Sequence, residues 1–107
     1  INDLERARAA LLQAVAAAPA DANVWNTLGI VHARRKEWDA AERAFERANV
    51  GGDNVEALVN LGSLELERGR TEAARALYRR ALDLRPDYAP AHAGIDKADR
   101  ESRRTAP

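Results

Sequence analysis

Apolar residues recur along this chain at helical spacing, with polar faces between them. In the first segment Leu4, Leu11, Leu12 and Val15 join Ala7 and Ala14, and a helix is predicted from about Asp3 to Ala17. Trp25, Leu28 and Gly29 anchor a second helix over 22–35, and Ala41, Phe45 and Ala48 a third over 38–49. Leu58, Leu61 and Gly62 mark a fourth over 55–68, and Ala74, Tyr78 and Ala81 a fifth over 71–84. A sixth begins near Tyr88 and fades after Ser102. Asp21, Asn54, Thr71 and Asp87 suit N-caps, because their short side chains can accept from a first-turn N–H. Pro19 and Pro86 stop the helices before them. Gly51-Gly52 supplies the turn between two hairpins, and Gly69-Arg70 the tight turn within the second.

The pattern repeats. Trp25-Asn26-Thr27-Leu28-Gly29 aligns with Leu58-Val59-Asn60-Leu61-Gly62 at an offset of 33. The same offset carries Ala41 onto Ala74, Phe45 onto Tyr78, Ala48 onto Ala81 and Asp53 onto Pro86. Backwards, an offset of 34 carries Ala41 onto Ala7, Phe45 onto Leu11, Ala48 onto Ala14 and Asp53 onto Pro19. Gly29 and Gly62 fall inside helices, where glycine costs about 1 kcal/mol against alanine. Glycine at such a place implies that another helix packs hard against it. Ala41 and Ala74 are the expected facing residues, and Phe45 and Tyr78 the wedges filling the seam between hairpins.

Those residues carry a resemblance to a known family. The chain resembles the tetratricopeptide repeat, whose signature runs W-x2-L-G-x2-Y, then a small residue, a bulky ring, a small residue and a proline. One unit supplies Trp25, Leu28, Gly29, His32, Ala41, Phe45, Ala48 and Asp53; the next supplies Leu58, Leu61, Gly62, Glu65, Ala74, Tyr78, Ala81 and Pro86. His32 departs mildly from the tyrosine, Glu65 fully and Asp53 replaces the proline. The resemblance implies an all-α fold, a right-handed solenoid of antiparallel helix hairpins with about six helices. Its expected parts are the second half of a truncated repeat (1–21), two full repeats (22–54 and 55–88) and a capping helix with its tail (89–107). Asp96 stands where the pattern wants glycine, which suits a polar helix that ends such an array. The first helix matches only the second half of a repeat, so the array is expected to finish within this chain but not to begin in it.

The resemblance also implies a site. In this family the first helix of each hairpin lines a concave groove that holds a peptide or partner protein. Residues on its free side are Asn23, Asn26, Ile30, Ala33 and Arg34 in one hairpin. In the next they are Glu56, Val59, Asn60, Ser63, Leu66 and Glu67, and the sixth helix adds Ala93 and Lys97. Asparagine amides could bond an extended backbone through both donor and acceptor. The lysine-and-asparagine carboxylate clamp of some family members is not expected, because Asn26 and Ile30 stand in two of its places.

Composition narrows the function classes. Seventeen basic residues meet seventeen acidic ones, so the basic excess of a nucleic-acid or membrane-surface protein is missing. No apolar run suits membrane insertion. Cysteine is absent, which removes disulfides and thiolate chemistry. Alanine provides about half of the apolar residues, so the core must rest on close backbone approach. The chain opens with Ile1 and has no methionine, as a piece of a longer protein would; its Ala and Arg usage matches GC-rich bacterial genomes. His32 and His92 fall at aromatic positions of the repeat with no second ligand at metal spacing, so each reads as structural, as do Trp25 and Trp38. No nucleophile triad, phosphate loop or zinc motif is present, and no cofactor or metal is expected. The expected role is therefore a protein-interaction scaffold, not an enzyme. Its rivals are self-assembly into a homo-oligomer through the uncapped first helix, and service as the non-catalytic arm of a larger enzyme.

Overall fold

The computed structural model describes residues 2–106. Among them are six α-helices and no strand: α1 (Asp3–Ala17), α2 (Ala22–Arg34), α3 (Trp38–Ala48), α4 (Val55–Glu67), α5 (Thr71–Leu84) and α6 (Ala89–Thr105). They form two compact units, one up to Gly52 with α1 to α3, the other from Asp53 with α4 to α6.

Side chains set three of the helix starts. Asn2 accepts from the Glu5 N–H at 2.8 Å, Asp21 from the Asn23 N–H at 3.0 Å, and Asn54 from the Ala57 N–H at 2.8 Å. Each satisfies a first-turn donor that the helix leaves open. Thr71 and Asp87 do not cap. Arg70 precedes α5 and Tyr88 precedes α6, neither with a side-chain bond. Arg70 already lies in the hairpin turn, its N–H donating to Glu65 O at 2.8 Å, so α5 starts where the turn releases the chain. Tyr88 is held by its N–H to Arg85 O, and Pro90 follows in the first turn of α6, where a missing N–H costs nothing.

Both hairpin turns have one geometry. After α2 the Lys36 N–H donates to Ala33 O and the Glu37 N–H to His32 O; after α4 the Gly69 N–H donates to Leu66 O and the Arg70 N–H to Glu65 O. This closure needs a left-handed residue just past the helix. Gly69 takes it at φ 79°, and Lys36 takes it at φ 60° although it carries a side chain.

In the first unit α1 packs on α2 and α2 on α3. Val15, Leu28 and Ala44 are buried together, flanked by Leu11, Val24 and Trp25. In the second unit α5 packs on both α4 and α6, and Leu58, Ala74, Tyr78, Ala81 and Ala91 form the core. At the helical glycines the nearest side chains are aromatic rings. A Cβ on Gly62 would stand 2.8 Å from the Tyr78 ring, and a Cβ on Gly29 closer still to the Phe45 ring. Ala41 and Ala74 are fully buried, but the side chain over each glycine is the wedge four residues further on. Tyr78 also lies over Gly94, so one ring joins α4, α5 and α6. Asp96 is exposed.

Candidate protein-binding face

α2 leaves a stripe of side chains that packing does not use. Asn23, Thr27, Ile30 and Arg34 are exposed at steps of four, three and four residues, which align on one side of a helix. The same register on α4, shifted by 33, holds Glu56, Asn60, Ser63 and Glu67; Asn60 is half-buried and the others are exposed. Ile30 is 39% exposed among polar neighbours. Ala33, Val59 and Leu66 flank the stripes half-buried, and Val59 and Leu66 pack against the core of their unit. On α6, Ala93 and Lys97 are exposed.

Asn26 stands elsewhere: it is buried, at 5% exposure. Thr27 takes its place on the stripe, with its hydroxyl donating to Asn23 O at 2.9 Å. The spacing from Asn23 and Ile30 carried that signal, since residue 27 is four from one and three from the other.

Ser63 is tied to the core beneath it. Its Oγ lies 3.0 Å from the Tyr78 hydroxyl, so the tyrosine that fills the second unit also reaches the outer face of α4. Burial pushes the Tyr78 phenol up from its ordinary value; the Ser63 hydrogen bond works against this and the Glu67 carboxylate adds to it. A neutral Tyr78 hydroxyl thus remains a hydrogen-bond partner at neutral pH, and Ser63 keeps a fixed orientation.

The ring positions are structural. The Trp25 Nε1–H donates to Pro19 O at 2.7 Å, and His92 Nε2 makes the same contact to Pro86 O at 2.7 Å, donating because a carbonyl can only accept. His32 Nδ1 lies 2.8 Å from Glu37 Oε1. Glu37 is held below the usual carboxylate range, first by His32 and then by Arg35. Among the described residues no cluster of His, Cys, Asp or Glu could hold a metal ion, and no helix is long and apolar enough to cross a membrane.

A sequence profile of the tetratricopeptide repeat matches residues 1–52 and again 42–89. Repeats of this family in general mediate protein–protein interactions and are non-catalytic scaffolds. The chain is 29% identical over 91 residues to Superkiller complex protein 3 of Mus musculus, covering 84% of this chain and 6% of that protein. It is 38% identical over 72 residues to Tetratricopeptide repeat protein 8 of Homo sapiens, covering 66% of this chain and 13% of that one. The chain thus spans a small part of the curated relatives it matches. Among solved structures, "MamA MSR-1 C2" superposes with a TM-score of 0.65 at 21% identity, over 96% of this chain and 70% of that chain. This likeness concerns the fold. With the profile running from residue 1 to residue 89 and the wedge rings seated on their glycines, the chain belongs to the tetratricopeptide repeat family.

Proposed function

We propose that the chain holds a peptide or partner protein on the exposed faces of its first helices, α2 in one unit and α4 with α6 in the other. On this reading the functional repeats are 22–54 and 55–88. The observation that carries it is the repeated register: Asn23, Thr27, Ile30 and Arg34 are exposed on α2, and Glu56, Ser63 and Glu67 are exposed on α4 beside half-buried Asn60. Most of each stripe is left open by the packing of its own hairpin, Asn60 and the Ser63 hydroxyl on α4 being the parts it engages. Ile30 offers an apolar anchor, hydroxyls and amides offer donors and acceptors to a peptide backbone, and Arg34 and Glu67 offer opposite charges.

The test is capture with the intact chain against an Ile30→Glu, Glu67→Lys variant. Both positions are exposed, so helical content and melting should stay as in the parent. Partners retained by the parent should be lost or weakened on the variant. Equal capture by both proteins would move the binding surface off these helices.

A second reading, assembly through α1, is favoured by one observation: Val15 is the sole buried residue of that helix among those described. Sedimentation across a concentration series separates the two. A parent that stays monomeric, while Leu4→Glu changes nothing, rules assembly through α1 out.

A further inference from the structure

The first unit carries a cleft on the side of α2 away from the stripe. α1 and α3 each pack on α2, but their backbones do not approach one another. Between them lies a cavity of about 620 Å³, within the range of natural ligand sites. Its floor is Trp25 and Leu28 of α2, and one wall is Leu12 of α1, 48% exposed. The other wall is α3, where Ala40 and Ala44 leave depth and Arg43 and Arg47 rise at the rim. At 3.6 residues per turn, Trp25, Leu28 and His32 lie on the side of α2 opposite Asn23, Thr27, Ile30 and Arg34.

Two features make this a built site with a defined preference. The indole of Trp25 is fixed by its bond to Pro19 O, and the Arg47 guanidinium sits over it at 5.0 Å, so a flat apolar surface is held beside a cation. Arg43 stands one turn before Arg47 on the same wall, and among the described residues neither guanidinium is paired with a carboxylate. Glu46 is the one acidic side chain on that wall, and Glu37 already engages His32. The cleft is apolar at the bottom and positive at the rim.

We infer that this cleft is a second docking surface, which takes an acidic amphipathic segment of a partner protein. The segment seats an apolar side chain against Trp25, Leu28 and Leu12, and its carboxylates meet Arg43 and Arg47. Apolar area supplies the attraction, and the two cations select acidic over basic partners. The site is independent of the α2 stripe, since it faces the other side of that helix.

The test uses the full chain carrying Trp38→Phe, so that emission reports Trp25 alone. The probe is a synthetic helix-forming peptide, acetylated and amidated, with leucines along one face and glutamates on both flanks; its counterpart carries lysines instead. The glutamate peptide should change Trp25 emission saturably, and added salt should weaken its binding. Arg43→Glu with Arg47→Glu should weaken it on the order of tenfold. Arg79→Glu with Arg80→Glu, an equal charge change on the exposed side of α5, should not. Leu12→Glu gives a second variant if the arginine pair disturbs folding as read by circular dichroism. Equal binding of both peptides, or unchanged binding in folded cleft variants, overturns the inference. So does a parent dimer that the cleft variants dissolve, because the occupant would then be a second copy.

Discussion

Gly29, Gly62 and Gly94 face a buried ring at close range, and each is a test of the packing. Alanine there gains about 1 kcal/mol of helix propensity. Against this, its Cβ enters the Phe45 ring at position 29 and the Tyr78 ring at 62 and 94, and overpacking costs about 1–3 kcal/mol. At Gly62 the approach is 2.8 Å and at the other two it is closer, so Gly29→Ala and Gly94→Ala should lower the melting temperature more than Gly62→Ala. Asp96→Ala, on the exposed side of α6, should change stability by no more than about 0.5 kcal/mol. Equal melting of the three glycine variants with the parent would refute the ring contacts. Gly29 and Gly62 were legible in the sequence because each follows a leucine in a repeated string. Gly94 was not: it aligns with Thr27 and Asn60, which are not glycines, and only the reach of Tyr78 across α6 explains it. Likewise Asn26 and Thr27 are adjacent polar residues, and which of them is buried depends on a rotation of the helix by one residue.

At the scale of elements, two helix joints repeat each other at a shift of 67, the sum of the two sequence offsets. Glu5–Arg8 on α1 becomes Glu72–Arg75 on α5, and Arg75 then crosses to Asp99 at 2.8 Å and Ser102 at 3.2 Å on α6. In the first unit the crossing pairs are Arg35 with Glu5 and Arg8 with Glu37. Glu37 therefore holds the end of α2 to α1. Its folded value is depressed, so its contribution is full above the ordinary glutamate range and is lost as the pH falls below that range, through the depressed value. Glu37→Gln should flatten the melting temperature against pH across that window. Superimposable curves would mean that the carboxylate does not stabilise the joint. The turn beside it gives another test. A left-handed non-glycine residue costs about 1–2 kcal/mol, and glycine returns part of that as unfolded-chain entropy. Lys36→Gly should thus raise the denaturant midpoint modestly, and Gly69→Ala should lower it. No gain at Lys36 would contradict the shared turn geometry. Helix limits were readable from Asp21 and Asn54, which bond as their side-chain chemistry suggests. Thr71 and Asp87 misled because the tertiary turns, not side-chain caps, decide where α5 and α6 begin.

On the scale of the molecule, family membership follows from residues that packing constrains: wedge rings, glycines beneath them and prolines after helices. On the proposed reading the partner meets residues that the core does not bury, such as Ile30, Arg34 and Glu67, and these carry no signature of their own. That is why the class of function was legible in the sequence and the ligand was not. The cleft of the first unit was illegible for a further reason. Leu12, Trp25 and Arg47 come from three helices, and each alone reads as ordinary core or surface. The central claim, that a partner is held on the first-helix stripes, is tested most directly by amide NMR spectra of the chain with and without a captured partner. Shifts are expected to cluster at Asn23, Thr27, Ile30 and Arg34 of α2 and at Ser63 and Glu67 of α4. Shifts confined to α3 and α5, with those residues unmoved, would contradict it.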